Sequence, residues 1–422
     1  MGRSSRFLRS VLMLVGVLTS CQGGRSRPSV SPADHQITAL VGGTIYPASG
    51  AAPIHNGTVL VDADRIAAVG ARATIRLPAG ANVVDVSGLT VLPAFWNSHV
   101  HFIEPKWTGI DTMDAARADS LLGEMFTRFG FVHVFDLSSF PEVTLSLRRR
   151  IRDGQVHGPD ILTTLMGFVP PDGTPRYVPF RMPELADARH ARDSVRTRMA
   201  AGADGTKLFT VPITRREPFP VMALDIVRAA ADETHAHEKR VFVHPTNLAG
   251  VAVAVTGGAD ILAHAVPSAG AIPDSLLRAM RRRGVALIPT LTLWEEDYGP
   301  DTTGMRAFVQ AAEEQVRAFA DHGGRILFGT DVGYISRYDP TREYELMAQA
   351  GLDFSAILSS LTTAPAQEFG FGARRGQLAA GFDADIVVVD GDPVHDIRSL
   401  GKVRLTFKRG QMLYQTPRTR VP

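Results

Sequence analysis

The 422-residue chain contains a single cysteine, Cys21, so no disulfide can form within it and its stability must come from a packed core. Lysine is almost as scarce. Only Lys106, Lys207, Lys239, Lys402 and Lys408 occur among 45 basic residues, and the other 40 are arginine. Net charge is also nearly absent: 45 basic against 43 acidic residues leave +2, too little to argue for nucleic acid as a partner. Beyond residue 20 no run approaches 18 consecutive apolar residues, which excludes a membrane-spanning helix from the body of the chain. What is present is a globular composition, 45% apolar and 21% charged, which excludes disorder. The length suits one large α/β barrel or two ordinary domains. Because this chain uses arginine wherever a generic positive charge suffices, a retained lysine marks a position where arginine would not serve.

Residues 1–20 open with Arg3, Arg6 and Arg9 and continue in a short apolar run, Val11 to Leu18. A spanning helix needs ~20 apolar residues, so this segment reads as a secretory signal peptide. Leu18-Thr19-Ser20 before Cys21 is similar to a bacterial lipoprotein signal, in which the cysteine is lipidated after cleavage. Residues 21–36 are rich in Gly, Ser and Pro and read as a tether. The expectation is an exported protein held by its lipid at the periplasmic face, on the outer rather than the inner membrane. The lipid is its sole contact with the membrane.

The remainder has two kinds of pattern. Residues 37–93 and 376–422 are short strand-like runs punctuated by Gly and Pro, and a β-sandwich built from both chain ends is expected. Residues 94–375 alternate apolar β-type runs with Ala/Arg/Glu-rich stretches of helical period at 185–200, 221–238 and 305–322. The runs lie at 90–97, 130–136, 160–167, 202–210, 240–245, 259–266, 285–294 and 324–331. Alternation of this kind indicates a parallel sheet, and eight strands are the number of a (β/α)8 TIM barrel, with a doubly wound open sheet as the other solution.

Polar residues fall where such a fold puts its chemistry. His99 and His101 end the first strand two apart, so both point to one side. Lys207 lies in the fourth strand, His244 ends the fifth, His264 the sixth and Asp331 the eighth. Singly, each has an ordinary reading as core, turn, cap or solvated edge. Together they put four histidines, a carboxylate and a lysine at one end of the strands. Lys207 sits between Gly205-Thr206 and Leu208-Phe209 in an apolar strand, where an uncompensated ammonium would be costly. Carboxylated by CO2, it becomes an anionic carbamate whose two oxygens can bridge two cations, which arginine cannot do.

With these residues in place the chain resembles the amidohydrolase superfamily, over nearly all of residues 21–422. Its His-x-His, Lys, His, His, Asp series has a counterpart here, as do the returning strand GQLAAGFDADIVV (376–388) and TTAPAQEFG (362–370). GADGTKLF and the spacing from Lys207 to His244, His264 and Asp331 are most similar to the binuclear, carboxylated-lysine group of prolidases and imidazolonepropionase relatives. One departure stands out: Asn97 replaces the family's usual acid before His-x-His.

The resemblance implies two divalent metals. His99, His101 and Asp331 would hold one, and His244 and His264 the other. Carboxylated Lys207 would bridge them together with a hydroxide. Zinc suits such imidazole and oxygen donors. Asp331 would serve in addition as the proton carrier during hydrolysis of an amide, peptide-like or cyclic amide bond in a small substrate. Loops after the strands would select the substrate, and Arg176, Tyr177, Trp294, Tyr298, Tyr334 and Arg337 are the candidates. An arginine beside a tyrosine would hold a substrate carboxylate, as in dipeptides or N-acyl amino acids. The alternatives are an esterase or lactonase on the same metal site and a non-catalytic binding protein on the same fold. A mononuclear deaminase-like relative lacks the bridging lysine and needs an acid near the fifth-strand histidine, where this chain has Pro245-Thr246-Asn247. Self-association as a homo-oligomer is left open.

Overall fold

Strands covered on both faces read as unbroken apolar runs, and Ile386-Val387-Val388-Val389 is such a run. Side chains alternate along a strand, so Ile386 and Val388 join one core while Val387 and Val389 join another. The first core holds Leu40, Val59, Ile66, Val91 and Phe407 from both chain ends. The second holds Leu92, Phe95 and Phe131 and continues under the helices.

The computed structural model describes residues 37–298 and 303–416, which belong to one compact unit, Gln36–Pro422. Strands β1 (Thr38–Ile45), β2 (Ile54–Asp62), β3 (Arg65–Ala71), β4 (Asn82–Asp85) and β5 (Leu89–Pro93) come from the N-terminal part. They join β14 (Ile386–Asp390), β15 (Val403–Lys408) and β16 (Gln411–Gln415) from the C-terminal part. All eight form one hydrogen-bonded sheet, in the order β16-β15-β14-β5-β1-β2-β3, with β4 beside β1. The chain ends therefore do combine, but in one continuous sheet. Arg409 and Gly410, both at positive φ, form the turn between β15 and β16.

Between these ends strands and helices alternate. The strands are β6 (Phe95–Val100), β7 (Phe131–Asp136), β8 (Asp160–Thr163), β9 (Gly205–Phe209), β10 (Arg240–His244), β11 (Ile261–Leu262), β12 (Ala286–Leu287) and β13 (Arg325–Ile326). All pair in parallel, in sheets of three (β6-β7-β8) and five (β13-β12-β11-β10-β9). Backbone bonds continue between the two sheets. Phe168 N donates to Lys207 O and Phe209 N to Phe168 O, each at 2.9 Å. Ser98 N donates to Phe328 O at 2.7 Å, Asp331 N to His99 O at 2.9 Å and His101 N to Val332 O at 2.8 Å.

The helices are α1 (Ala115–Met125), α2 (Pro141–Arg152), α3 (Ala188–Ala200), α4 (Leu224–Ala236), α5 (Leu248–Gly257), α6 (Asp274–Arg283), α7 (Leu291–Tyr298), α8 (Thr303–Asp321), α9 (Thr341–Gln349), α10 (Phe354–Leu361) and α11 (Thr363–Glu368). Local sequence starts several of them. Asp114, Asp187, Asn247 and Asp353 cap α1, α3, α5 and α10 by accepting backbone N–H bonds, each worth about 1 kcal/mol. None among the described residues is long and apolar enough to cross a membrane. One expectation changes: the apolar run 285–294 does not stay a strand to Trp294. Pro289 cannot donate to a ladder, Thr290 turns at φ +47°, and Leu291 starts α7.

Alternation along the parallel strands sorts the side chains. Val241 and Val243 of β10 face the helices, while Phe242 joins Phe135, Ile261, Ala286 and Leu327 on the opposite face. At the N-terminal ends of the strands a buried charge network fastens them to the end sheet. Asp160 accepts from Arg375 at 2.7 Å and pairs with Lys408 at 2.6 Å, and His133 lies 2.9 Å from Asp385. Burial alone would raise the Asp160 carboxyl, but His133, Lys408 and Arg375 hold it well below the usual range. Removing one partner from such a buried network costs about 3–5 kcal/mol. This fastening leaves the other ends of the strands free for the site.

Candidate active site

Because every strand of β6–β13 is parallel, their C-terminal ends share one side, and the six residues singled out in the sequence lie there. His99 projects from β6 and His101 from the position just after it, with ring centroids 5.2 Å apart. His264, just after β11, lies 4.7 Å from His99 and 4.7 Å from His244 at the end of β10, ring to ring. Asp331 Oδ1 is 2.8 Å from His101 Nε2 and 3.3 Å from His99 Nε2, and its Oδ2 is 3.9 Å from His264 Nδ1. Lys207 is buried in β9 at 2% exposure, its ammonium nitrogen 5.6 Å from the Phe209 ring centre. Phe209 in turn stacks near His244 at 4.9 Å.

The backbone places these groups under constraint. Asp331 adopts φ +62°, a conformation uncommon outside glycine, in the segment bonded to β6. Gly333 follows at φ +98°, and a Cβ there would lie 2.0 Å from the carbonyl oxygen of His101. Gly333→Ala is therefore expected to lose more than about 1 kcal/mol of stability, read by urea unfolding. A variant as stable as wild type would show that this segment is free to move.

The electrostatics are those of a cation site. Burial holds His99 and His264 well below the usual histidine range and His244 down at about 3, so these rings are neutral. Burial also lowers Lys207 to about 7, against the pull of Asp331. Burial alone would raise Asp331, yet the His99, His101 and His264 rings around it hold its carboxyl well below the usual carboxylate range. His99 Nδ1 lies 2.9 Å from Ala263 O and His101 Nδ1 lies 3.3 Å from Ser138 O. A carbonyl only accepts, so both Nδ1 atoms carry a hydrogen toward it, and each ring turns its Nε2 to Asp331. Asp331 Oδ1 is buried and has no hydrogen-bond partner among the described residues. A buried carboxylate oxygen without a partner is costly, and a bound cation removes that cost. Ligand atoms of His99, His264 and Asp331 lie within 4.8 Å of one another.

A model of the amidohydrolase family matches residues 90–413, the span that carries all six residues. The chain belongs to the amidohydrolase family. By that membership it is a hydrolase acting on carbon–nitrogen bonds. Among individual proteins it is 21% identical over 420 residues to an ochratoxinase of Aspergillus niger, covering 88% of this chain and 85% of that one. A short stretch of 44 residues is 59% identical to the amidohydrolase tasK of Hapsidospora irregularis, covering 10% of this chain and 4% of that protein. A solved Xaa-Pro dipeptidase with bound methionine superposes with a TM-score of 0.77 at 20% identity, over 90% of this chain and all of that one, a likeness of fold.

The candidate substrate residues separate. Tyr177 and Tyr334, both exposed, meet edge to face at 5.3 Å and so join the loops after β8 and β13. Trp294 lies on α7 with its ring centre 6.2 Å from that of His264, and its buried Nε1 has no hydrogen-bond partner among the described residues. Arg176 is exposed, and its backbone N–H is bonded to Ile213 O at 2.8 Å. Arg337 instead donates through Nε to Glu296 at 2.9 Å, which ties it to α7. Tyr298 ends α7, and its side chain lies outside the described residues.

Several supporting residues were missed in the sequence. Asp136 is fully buried at the end of β7, its carboxyl raised by burial, and it accepts from Ser139, Thr144 and Thr163. It thereby holds the loop whose Ser138 carbonyl meets His101. Asn97, by contrast, was singled out in the sequence: it accepts from His99 N and Thr330 N and donates to the Thr330 hydroxyl at 2.8 Å. It clasps the two segments that carry His99 and Asp331 without touching an imidazole. Thr290 Oγ1 lies 2.8 Å from His264 Nδ1. A lone Ser, Thr or Asp gives no sequence signal for such bonds.

Proposed function

We propose that the chain is a metal-dependent hydrolase of an amide bond in a small substrate, with His99, His101 and Asp331 holding one divalent ion and His244 and His264 a second. The observation that carries this reading is the buried Asp331 Oδ1, set between the Nε2 atoms of His99 and His101 with no hydrogen-bond partner among the described residues. Zinc is the ion this donor set suits. Such ions, when bound, lower the pKa of water and polarise a carbonyl.

Lys207 would complete the pair as a carbamate. Its nitrogen attacks CO2, forming an N–C bond and releasing a proton, which requires the neutral amine. Its lowering to about 7 by burial supports this. Asp331 takes the proton from the attacking water and delivers it to the leaving nitrogen, so the amide C–N bond breaks without releasing an unprotonated amine. Arg176 with Tyr177 at the rim would receive a substrate carboxylate, as in dipeptides or N-acyl amino acids. Arg337 is less suited because Glu296 occupies its Nε. Trp294 and Tyr334 would line the approach.

The two parallel sheets are read as one closed (β/α)8 barrel over 94–375. The backbone bonds that continue from β8 to β9, and from β6 to the segment after β13, support this. The end sheet, 37–93 with 376–422, is read as a sandwich folded over its own core. The signal peptide (1–20), the lipidated Cys21 and the tether (21–36) lie outside the described residues. They enter the proposal as export and anchoring at the periplasmic face of the outer membrane.

The test is elemental analysis of the mature protein, followed by a hydrolysis screen across dipeptides, N-acyl amino acids, cyclic amides and lactones. About two metal ions per chain and turnover of an amide are expected. Protein that stays metal-free after full loading would sink the reading.

A further inference from the structure

Glu343 is a fully buried carboxylate that the catalytic reading leaves without a task. It projects from α9 and accepts three bonds, each 2.8 Å, from Leu291 N, Thr292 N and the Thr292 hydroxyl. Those backbone groups open α7, where the first N–H groups have no partner within the helix. Glu343 is thus a cap supplied from 51 residues away, in a place where α7 has no aspartate or serine of its own.

The residue just before this clamp is Thr290, at φ +47°. A β-branched residue there is a true outlier, and it persists only where its surroundings over-determine it. Two sets of contacts do so. Glu343 fixes the N–H groups that follow, and the segment carrying His264 fixes the other side. Ala265 N donates to Pro289 O at 3.1 Å, and Thr290 Oγ1 meets His264 Nδ1 at 2.8 Å. A ring engaged at Nδ1 has only Nε2 left for a ligand.

We propose that Glu343 is a positioning residue for the metal site: it clamps the start of α7, the clamp holds the strained Thr290 turn, and Thr290 engages Nδ1 of His264, which leaves Nε2 for a ligand. This rests on reading His264 as a metal ligand. Burial pushes the Glu343 carboxyl up to about 7, a cost that an apolar residue in its place would not incur.

Two measurements on metal-free protein and one series of variants test it. Long-range proton–nitrogen NMR reports the His264 ring nitrogens, and competition with a chromophoric chelator reports zinc affinity. Glu343→Gln keeps the volume but puts an NH2 group against backbone N–H. It is expected to shift the His264 nitrogens and to weaken zinc binding about 10–100-fold. Thr290→Val should do the same, whereas Thr290→Ser, which keeps the hydroxyl, should restore both signals. The double variant Glu343→Gln/Thr290→Val should be no worse than Thr290→Val alone, because the two act through one contact. Additive losses overturn the proposal, as does a Glu343→Gln protein with wild-type zinc affinity and unshifted His264 nitrogens. If Glu343→Gln does not fold, Glu343→Asp is read by the same criteria. Wild-type protein that takes up no zinc overturns the metal reading instead, and the NMR comparison still decides the role of Glu343.

Discussion

Asp331→Asn is expected to fold as wild type does and to turn substrate over about 10²–10⁴-fold more slowly, the usual contribution of a positioned proton carrier. Asparagine tolerates positive φ almost as well as aspartate, so the φ +62° that seats this residue should survive the change. The amide oxygen can still face His99 and His101, but it cannot accept and return a proton. Thermal unfolding would report the first part of the prediction. The second is read as kcat on the best amide from the screen, with metal content measured on the same preparation. A variant that retains metal and works within tenfold of wild type removes Asp331 from proton transfer and leaves it only a ligand.

Removing the Lys207 amine is expected to have an effect of similar size by a different route. An arginine replacement keeps the charge but is not conservative in this setting. Lys207 is 2% exposed beside Phe209, and a guanidinium stays charged where the lysine amine is lowered to about 7. Arginine would add an uncompensated buried charge close to His99, His244 and His264, so Lys207→Arg confounds folding with function. Lys207→Ala is the cleaner variant. It should fold and lose the bridged pair, with activity down by about 10³-fold, equivalent to several kcal/mol of transition-state stabilisation. Added formate or acetate supplies a carboxylate of the kind the carbamate would offer and should restore part of the metal content and rate. If Lys207→Ala keeps two metals and near-normal turnover without added carboxylate, the bridging role is wrong.

The ligand series was legible in the sequence because its members lie in or just after strands, and strands are readable from apolar periodicity. His-x-His needs only the two-residue repeat of a strand to put both rings on one side. The returning strand was legible for the same reason: an unbroken Ile-Val-Val-Val run has to be covered twice. Arginine bias made Lys207 conspicuous before any geometry was known. The same reading misjudged residues 285–294. It counted apolar side chains and gave too little weight to Pro289, which ends the ladder and lets Thr290 turn into α7. The candidates for substrate contact were chosen from loops by residue type alone. That choice could not foresee that Glu296 would engage Arg337 or that Tyr177 would meet Tyr334 across two loops.

What the sequence determined by itself is therefore the set of chemical groups and the elements that carry them: strand and helix alternation, and donors suited to a divalent cation. These follow from interactions a few residues long, through side-chain period. Tertiary structure alone decided which atoms meet and how wet they are. Burial makes the rings of His99, His244 and His264 neutral and lowers Lys207, and the carbonyls of Ala263 and Ser138 choose the tautomers of His99 and His101. The clamp from Glu343 to α7 spans residues with no periodic relation to each other. Desolvation and long-range contact depend on everything packed around a group, and that becomes defined only when the chain has closed on itself.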